Sequence, residues 1–232
     1  MSAAEGVLVG GPEALEYLDG QCAQDLRPLE VGGRTDALLL APAGTIVALM
    51  VIVRRDDNLV VEVPTGMADP VVGRLERFAI RAAVTFDRVD LAEPDARWRD
   101  ETARVVSGLP GLAELARDLV PHALAPSLRA SCVSFTKGCY PGQELVARME
   151  SRHATPPYVL RGLHADVPLA PGDHVGDEAR DGVVTSAVET TDGTWHALCV
   201  VHRREAELDD ARVRTAHGEV VARWAGAPSV RS

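Results

Sequence analysis

The sequence predicts an α+β fold followed by a small antiparallel β-barrel. Up to about residue 86, short apolar runs alternate with turn residues. One stretch there differs, with Met67, Val71, Leu75 and Phe78 recurring at helical spacing. Strands, a helix and a closing strand within one such span make an α+β layer. From Tyr158 onward only short strands follow, separated by Gly, Pro and Asp, the pattern of a small closed barrel.

In order, Val7–Val9 reads as a first strand. Gly10-Gly11-Pro12 then opens a helix running from Glu13 to Leu18, with Pro at its first turn. A short helical turn is expected over 21–26. Residues 36–40 and 45–53 read as paired strands joined by the turn Pro42-Ala43-Gly44. Asp56-Asp57-Asn58 is the next turn, before a strand over 59–63. The amphipathic helix and a strand over 82–86 close the unit. Residues 87–100, rich in charge and holding Pro94, read as a linker. Short helices are predicted at 101–106 and 112–120, irregular chain at 121–131, an extended stretch at 133–135 and a helix at 143–151. Barrel strands are predicted at 158–163, 182–190, 194–202 and 218–224. The division is therefore 1–90 for an α+β domain, 91–155 for a short helical middle segment, and 156–232 for the barrel.

Composition narrows the function classes. The chain has 232 residues, 46% hydrophobic and 25% charged, with a net charge of −10. No stretch gathers four basic residues, so direct contact with nucleic acid is not expected. No apolar run approaches the roughly 18 residues of a membrane span. The start carries no basic residue ahead of its apolar part, so a secretory signal is not expected there. The cysteines at 22, 132, 139 and 199 show no C-x-x-C spacing, so reduced thiols in a cytoplasmic protein are expected.

Lys137 is the only lysine; every other basic side chain is arginine. Where arginine serves everywhere else, a retained lysine points to a need for a compact ammonium that a planar guanidinium does not meet. It opens the run Lys137-Gly138-Cys139-Tyr140-Pro141-Gly142-Gln143-Glu144. Cys139 stands just ahead of a helix start and two residues from an ammonium, both of which favour a thiolate. Gly138 and Gly142 permit a loop that exposes the sulfur, and Tyr140 is placed to line the approach. The run itself leaves nucleophile, metal ligand, redox thiol and buried apolar filler open. Glu144 and Arg148, four apart on one helix with the acid first, suit an ion pair of about 0.3 kcal/mol, with ligand contact as the alternative.

K-G-C-Y-x-G-Q-E followed by Leu145-Val146-Ala147-Arg148 resembles the signature of the YgfZ family, folate-binding relatives of the glycine cleavage T-protein. Three further stretches are similar to that family's motifs in the same order: Tyr17–Leu26, Ala103–Pro110 and Gly182–Ser186. The resemblance implies ferredoxin-like, T-protein-type α+β parts around a folate cleft, with a C-terminal barrel. It implies an accessory role in assembly or repair of iron–sulfur enzymes, tRNA-modifying ones included, with those clients or assembly factors as partners and tetrahydrofolate as cofactor. Cys139 matches the family's functional cysteine and Lys137 its partnering lysine. Asp25, Arg104, Tyr140, Gln143, Glu144 and Arg148 are the residues expected around the folate; for Asp25 a local cap, and for Arg104 a surface position, are the alternatives.

The chain departs from the family pattern in three places. The middle part is truncated at 87–100, which would open one wall of the cleft. Ala23-Gln24 stands where Thr-Asn is usual. Gly44-Thr45-Ile46-Val47-Ala48-Leu49 holds no acid where the T-protein enzymes carry one. Aminomethyl transfer to tetrahydrofolate, the second reading, needs such a carboxylate for proton handling. A third reading is a non-enzymatic binding module that has lost folate. No metal site is expected: on a strand, His196 and His202 lie roughly 20 Å apart with Cys199 on the opposite face.

Overall fold

A computed structural model of the chain describes residues 4–177 and 182–226. Five strands, β1 (Ala4–Gly10), β2 (Arg34–Leu40), β3 (Ile46–Arg54), β4 (Leu59–Pro64) and β5 (Thr85–Val89), pair antiparallel in the order β2-β3-β4-β1-β5. Ala48, Leu49, Met50, Val51 and Ile52 of β3 are all buried. Successive side chains of a strand face opposite ways. An unbroken buried run therefore means that both faces of the sheet are covered. One covering layer holds α1 (Ala14–Gln21) and α2 (Ala68–Glu76), whose Leu18, Val71 and Leu75 join Val7 and Val9 in the core. The Tyr17 hydroxyl donates to the carbonyl of Leu75, and its ring meets Phe86 at 5.9 Å.

The middle segment is short but not loose. It comprises the 3-10 turn η1 (Ala96–Trp98), α3 (Glu101–Val106), α4 (Leu112–Leu115), a second 3-10 turn η2 (Pro121–Ala123), α5 (Pro126–Cys132) and α6 (Gln143–Ser151). Trp98 is fully buried. Arg97 donates to Asp36 of β2 at 2.6 and 2.9 Å and to Asp95 at 2.8 Å, while Glu62 of β4 accepts the Asp95 amide at 2.7 Å. The span 87–100, expected as a linker, is thus clasped to the sheet at its far end and continues β5 at its near end. Asp95 and Arg97, two of the charges that suggested a linker, meet the buried carboxylates of Glu62 and Asp36.

The barrel closes in the order β10-β11-β6-β9-β8-β7 from β6 (Tyr158–Ala165), β7 (His174–Val175), β8 (Gly182–Glu189), β9 (Trp195–His202), β10 (Asp210–Thr215) and β11 (Gly218–Trp224), with α7 (Arg203–Ala206) after β9. Its interior holds Leu163, Val175, Val184, Cys199, Val201 and Val213. Leu160, Leu198 and Val200 point outward into the core of the sheet unit, so an apolar seam joins the two. The fold class expected from sequence, α+β with a C-terminal antiparallel barrel, is the one found.

Some local expectations fail for identifiable reasons. No helical turn forms over 21–26; Cys22 is extended and bridges Leu39 of β2. The 112–120 helix stops at Leu115. Residues 121–131 hold η2 and most of α5, where Leu128 and Cys132 alone form the buried stripe. β7 is two residues long, and β10 hides its alternation under Arg and Asp. Among the described residues, no helix is long and apolar enough to cross a membrane.

Candidate functional site

The loop from Ser134 to Gly142 packs on the segment that follows α1. Lys137, whose side chain is 1% exposed, directs its ammonium into a cage of oxygens. Nζ donates to the carbonyls of Asp19, Cys22 (3.1 Å) and Gln24 (2.8 Å), and lies 3.2 Å from Asp19 Oδ1. An ammonium has three N–H donors that fan out from one point, which suits oxygens converging on one spot better than a guanidinium, whose donors spread in a plane. That is the physical need behind the retained lysine. The Tyr140 ring lies 5.6 Å from the same ammonium and is buried, which pushes its hydroxyl pKa up to about 12.

Further bonds zip the two segments together. Ser134 donates its amide to the Ala23 carbonyl at 2.9 Å, and Gln24 Nε2 donates to the Ser131 carbonyl at 2.6 Å. Asp19 Oδ1 also accepts the Leu26 amide at 2.8 Å. On the other side the loop meets the β2–β3 turn. Gly142, at φ 84°, caps α6, and a Cβ there would stand 2.7 Å from the Ala41 carbonyl oxygen. Gly44, at φ 90°, leaves no room for a Cβ against Leu145. Both glycines are required by close approach as well as by backbone conformation.

Cys139 is exposed, while Cys22, Cys132 and Cys199 are buried. Burial pushes the pKa of each of those three up to about 12, and for Cys22 the neighbouring Lys137 only partly opposes it. The expected arrangement had Lys137 beside Cys139 as a charge partner. The ammonium instead binds oxygens of residues 19–24, and the tie between the two residues is the folded loop.

The remaining expected residues do not converge on a single cradle. Asp25 accepts from Arg27 Nε and Nη2, both at 2.9 Å, and that hydrogen bonding holds its carboxyl below its ordinary range. Glu144 and Arg148 pair on an exposed face of α6. Gln143 is half-buried at the first turn of α6. Arg104 is buried, and its five N–H groups are spent on Glu101 (Nε at 2.8 Å, and Nη2), Ser186 Oγ (2.7 Å), the Leu109 carbonyl (2.7 Å) and Glu114 (3.1 Å). It lines a cavity of about 540 Å³ with Glu101, Thr185 and Ser186, yet has no donor left for a ligand. As arranged here, Arg104 has no free N–H to offer a folate carboxylate.

Glu114 escaped the sequence reading. It is fully buried and accepts from Arg104, the Gly111 amide (2.7 Å) and Ser186 Oγ (2.6 Å). Burial alone would raise its pKa, but Arg104 and these bonds together hold it below the usual carboxylate range. The legible signal was a Glu three residues after Gly111, placed to take up the free amide at a helix start. Among the described residues no group of three His, Cys, Asp or Glu side chains is placed to hold a metal.

No family model matches the chain. Its curated homologues carry the name tRNA-modifying protein YgfZ. That of Yersinia pestis (strain Pestoides F) is 41% identical over 88 residues, covering 35% of this chain and 27% of the relative. That of Serratia proteamaculans (strain 568) is 36% identical over 154 residues, covering 60% of this chain and 45% of the relative. The matched stretches thus span under half the length of these relatives. In three dimensions, the crystal structure of glycine cleavage system aminomethyltransferase T from Bartonella henselae superposes with a TM-score of 0.73 at 16% identity, over 98% of this chain and 84% of that one. The fold is shared with that aminomethyltransferase.

Proposed function

We propose that this chain is a YgfZ-like accessory protein that supports iron–sulfur client enzymes, tRNA-modifying ones included, through the Cys139 thiol. The observation that carries the reading is the exposure of Cys139 on a loop held from beneath by the Lys137 cage. Accessory chemistry on a large client needs a sulfur that a second protein can reach, and the other three cysteines are buried. The homologues' printed name supports a link to tRNA modification. The fold is shared with an aminomethyltransferase, which agrees with the T-protein-type architecture that the motif resemblance implies.

The aminomethyl-transfer reading is weaker. The stretch after the Gly44 turn offers Ile46, Ala48 and Leu49 to the core and no carboxylate for proton handling. The folate-free binding module gains from one observation, the full commitment of Arg104 to protein partners. The test is the activity of an iron–sulfur enzyme in cells carrying Cys139→Ser at matched protein level. Loss to the level of a deletion is expected, and unchanged activity would overturn the thiol role. Calorimetric titration with tetrahydrofolate separates the two accessory readings: saturable heat favours the folate-binding one, and its absence the module that works without folate.

A further inference from the structure

A second concave surface lies between the C-terminal end of α6 and the barrel, with a volume of about 390 Å³. It brings together side chains from five elements: His122 of η2, Arg129 of α5, Glu150 of α6, Arg161 of β6 and Arg203 of α7, with Glu207 just beyond. In a chain of net charge −10, three guanidiniums facing two carboxylates in one hollow is a local reversal of sign. Their donors are largely unspent. Arg161 gives one N–H to the Ala206 carbonyl (3.0 Å) and stacks over Trp224, and Arg203 gives one to the Thr155 carbonyl (3.0 Å). Arg129 reaches Glu150 only at 3.8 Å.

We infer that this hollow binds a small anion bearing carboxylate or phosphate groups, gripped by Arg129, Arg161 and Arg203. Planar guanidinium forks match both kinds of oxyanion. The wall behind them adds a second observation. The His122 side chain is 3% exposed; Nε2 lies 3.1 Å from Glu150, and Nδ1 is buried with no hydrogen-bond partner. In the neutral ring that nitrogen is a leftover acceptor if Nε2–H is given to Glu150. Burial first, and then Arg129, keep the imidazole pKa below its ordinary value, with Glu150 opposing. An anion seated on Arg129 cancels that repulsion. Binding therefore favours the imidazolium and is accompanied by proton uptake. His153, also on the rim, lines the same hollow, so His122 is tested by substitution.

The test is isothermal titration of the full chain with citrate and, separately, with glycerol 3-phosphate at low ionic strength. The inference predicts saturable one-site binding of at least one probe, and the tighter probe identifies the ligand source as carboxylate or phosphate. Arg203→Gln, at an exposed position that leaves folding intact, should weaken it about tenfold, and Arg88→Gln on the far sheet edge should not. In buffers of different ionisation heat at pH 6, the wild type should take up protons on binding and His122→Gln clearly fewer. Absence of saturable heat with both probes, or equal affinity in Arg203→Gln and the wild type, would overturn the site. None of these residues belongs to the Cys139 loop, so failure here leaves the proposed function standing.

Discussion

Lys137 shows how one residue type in one place reveals a structural demand. Its ammonium is sealed among three backbone carbonyls and the Asp19 carboxylate. Lys137→Met would leave those acceptors without their donor, at about 1–3 kcal/mol for a buried polar group and more for the carboxylate. Lys137→Arg keeps the charge but not the shape. Urea unfolding should therefore show a loss of about 2–4 kcal/mol for Met and an intermediate loss for Arg; a Met variant as stable as wild type would remove the cage from the account. The lysine's uniqueness was visible in sequence, and so was the need for an ammonium. Its partner was not. Spacing pointed to Cys139, two residues away, because the oxygens it binds lie more than a hundred residues earlier in the chain.

Among the elements, the motifs interlock in two pairs. The stretch around Asp19–Gln24 receives Lys137, and Arg104 of α3 meets Ser186 of β8 with Glu114 between them. Short motifs that looked weak singly are contact partners across the fold. Removing one partner of a buried pair exposes the other's desolvation cost, about 3–5 kcal/mol. Glu114→Gln should lower the urea midpoint by a corresponding amount and loosen α4 from β8, visible as faster amide exchange at Gly111; unchanged exchange there would argue against the pairing. At the other end of the middle segment, His122 gives a pH prediction. Its folded pKa is depressed, so the unfolded chain takes up a proton first as pH falls. The residue's contribution is present above the unfolded value of about 6.5 and is lost as pH drops from there toward the folded value. His122→Gln should lose less stability between pH 7.5 and pH 5.5 than the wild type does, as read by thermal melting; an equal loss would contradict the assignment.

The fold class of the whole molecule was legible because its signals are long-range averages: apolar runs sized for strands, one amphipathic stripe, and a barrel's regular turns. What escaped were features decided by tertiary partners. The charged stretch after β5 became a clasp because Asp36, Glu62 and Arg97 meet only in the folded chain. Its anchor is Trp98, fully buried in the shared core. Trp98→Ala should cost about 3–5 kcal/mol, with α3 exchanging early because η1 no longer holds its start; a loss under about 1 kcal/mol would mean that the short middle segment is not integral to the sheet unit.

Among the four cysteines, Cys139 alone is reachable, on a loop that Lys137 holds shut. Native-state alkylation read by mass spectrometry, cysteine by cysteine, tests it most directly. Cys139 should be modified rapidly and Cys22, Cys132 and Cys199 only on unfolding, while in Lys137→Met the label should reach Cys22 as the segment below the loop comes free. Labelling of Cys22 alongside Cys139 in the wild type, or a Lys137→Met pattern identical to the wild type's, would contradict it.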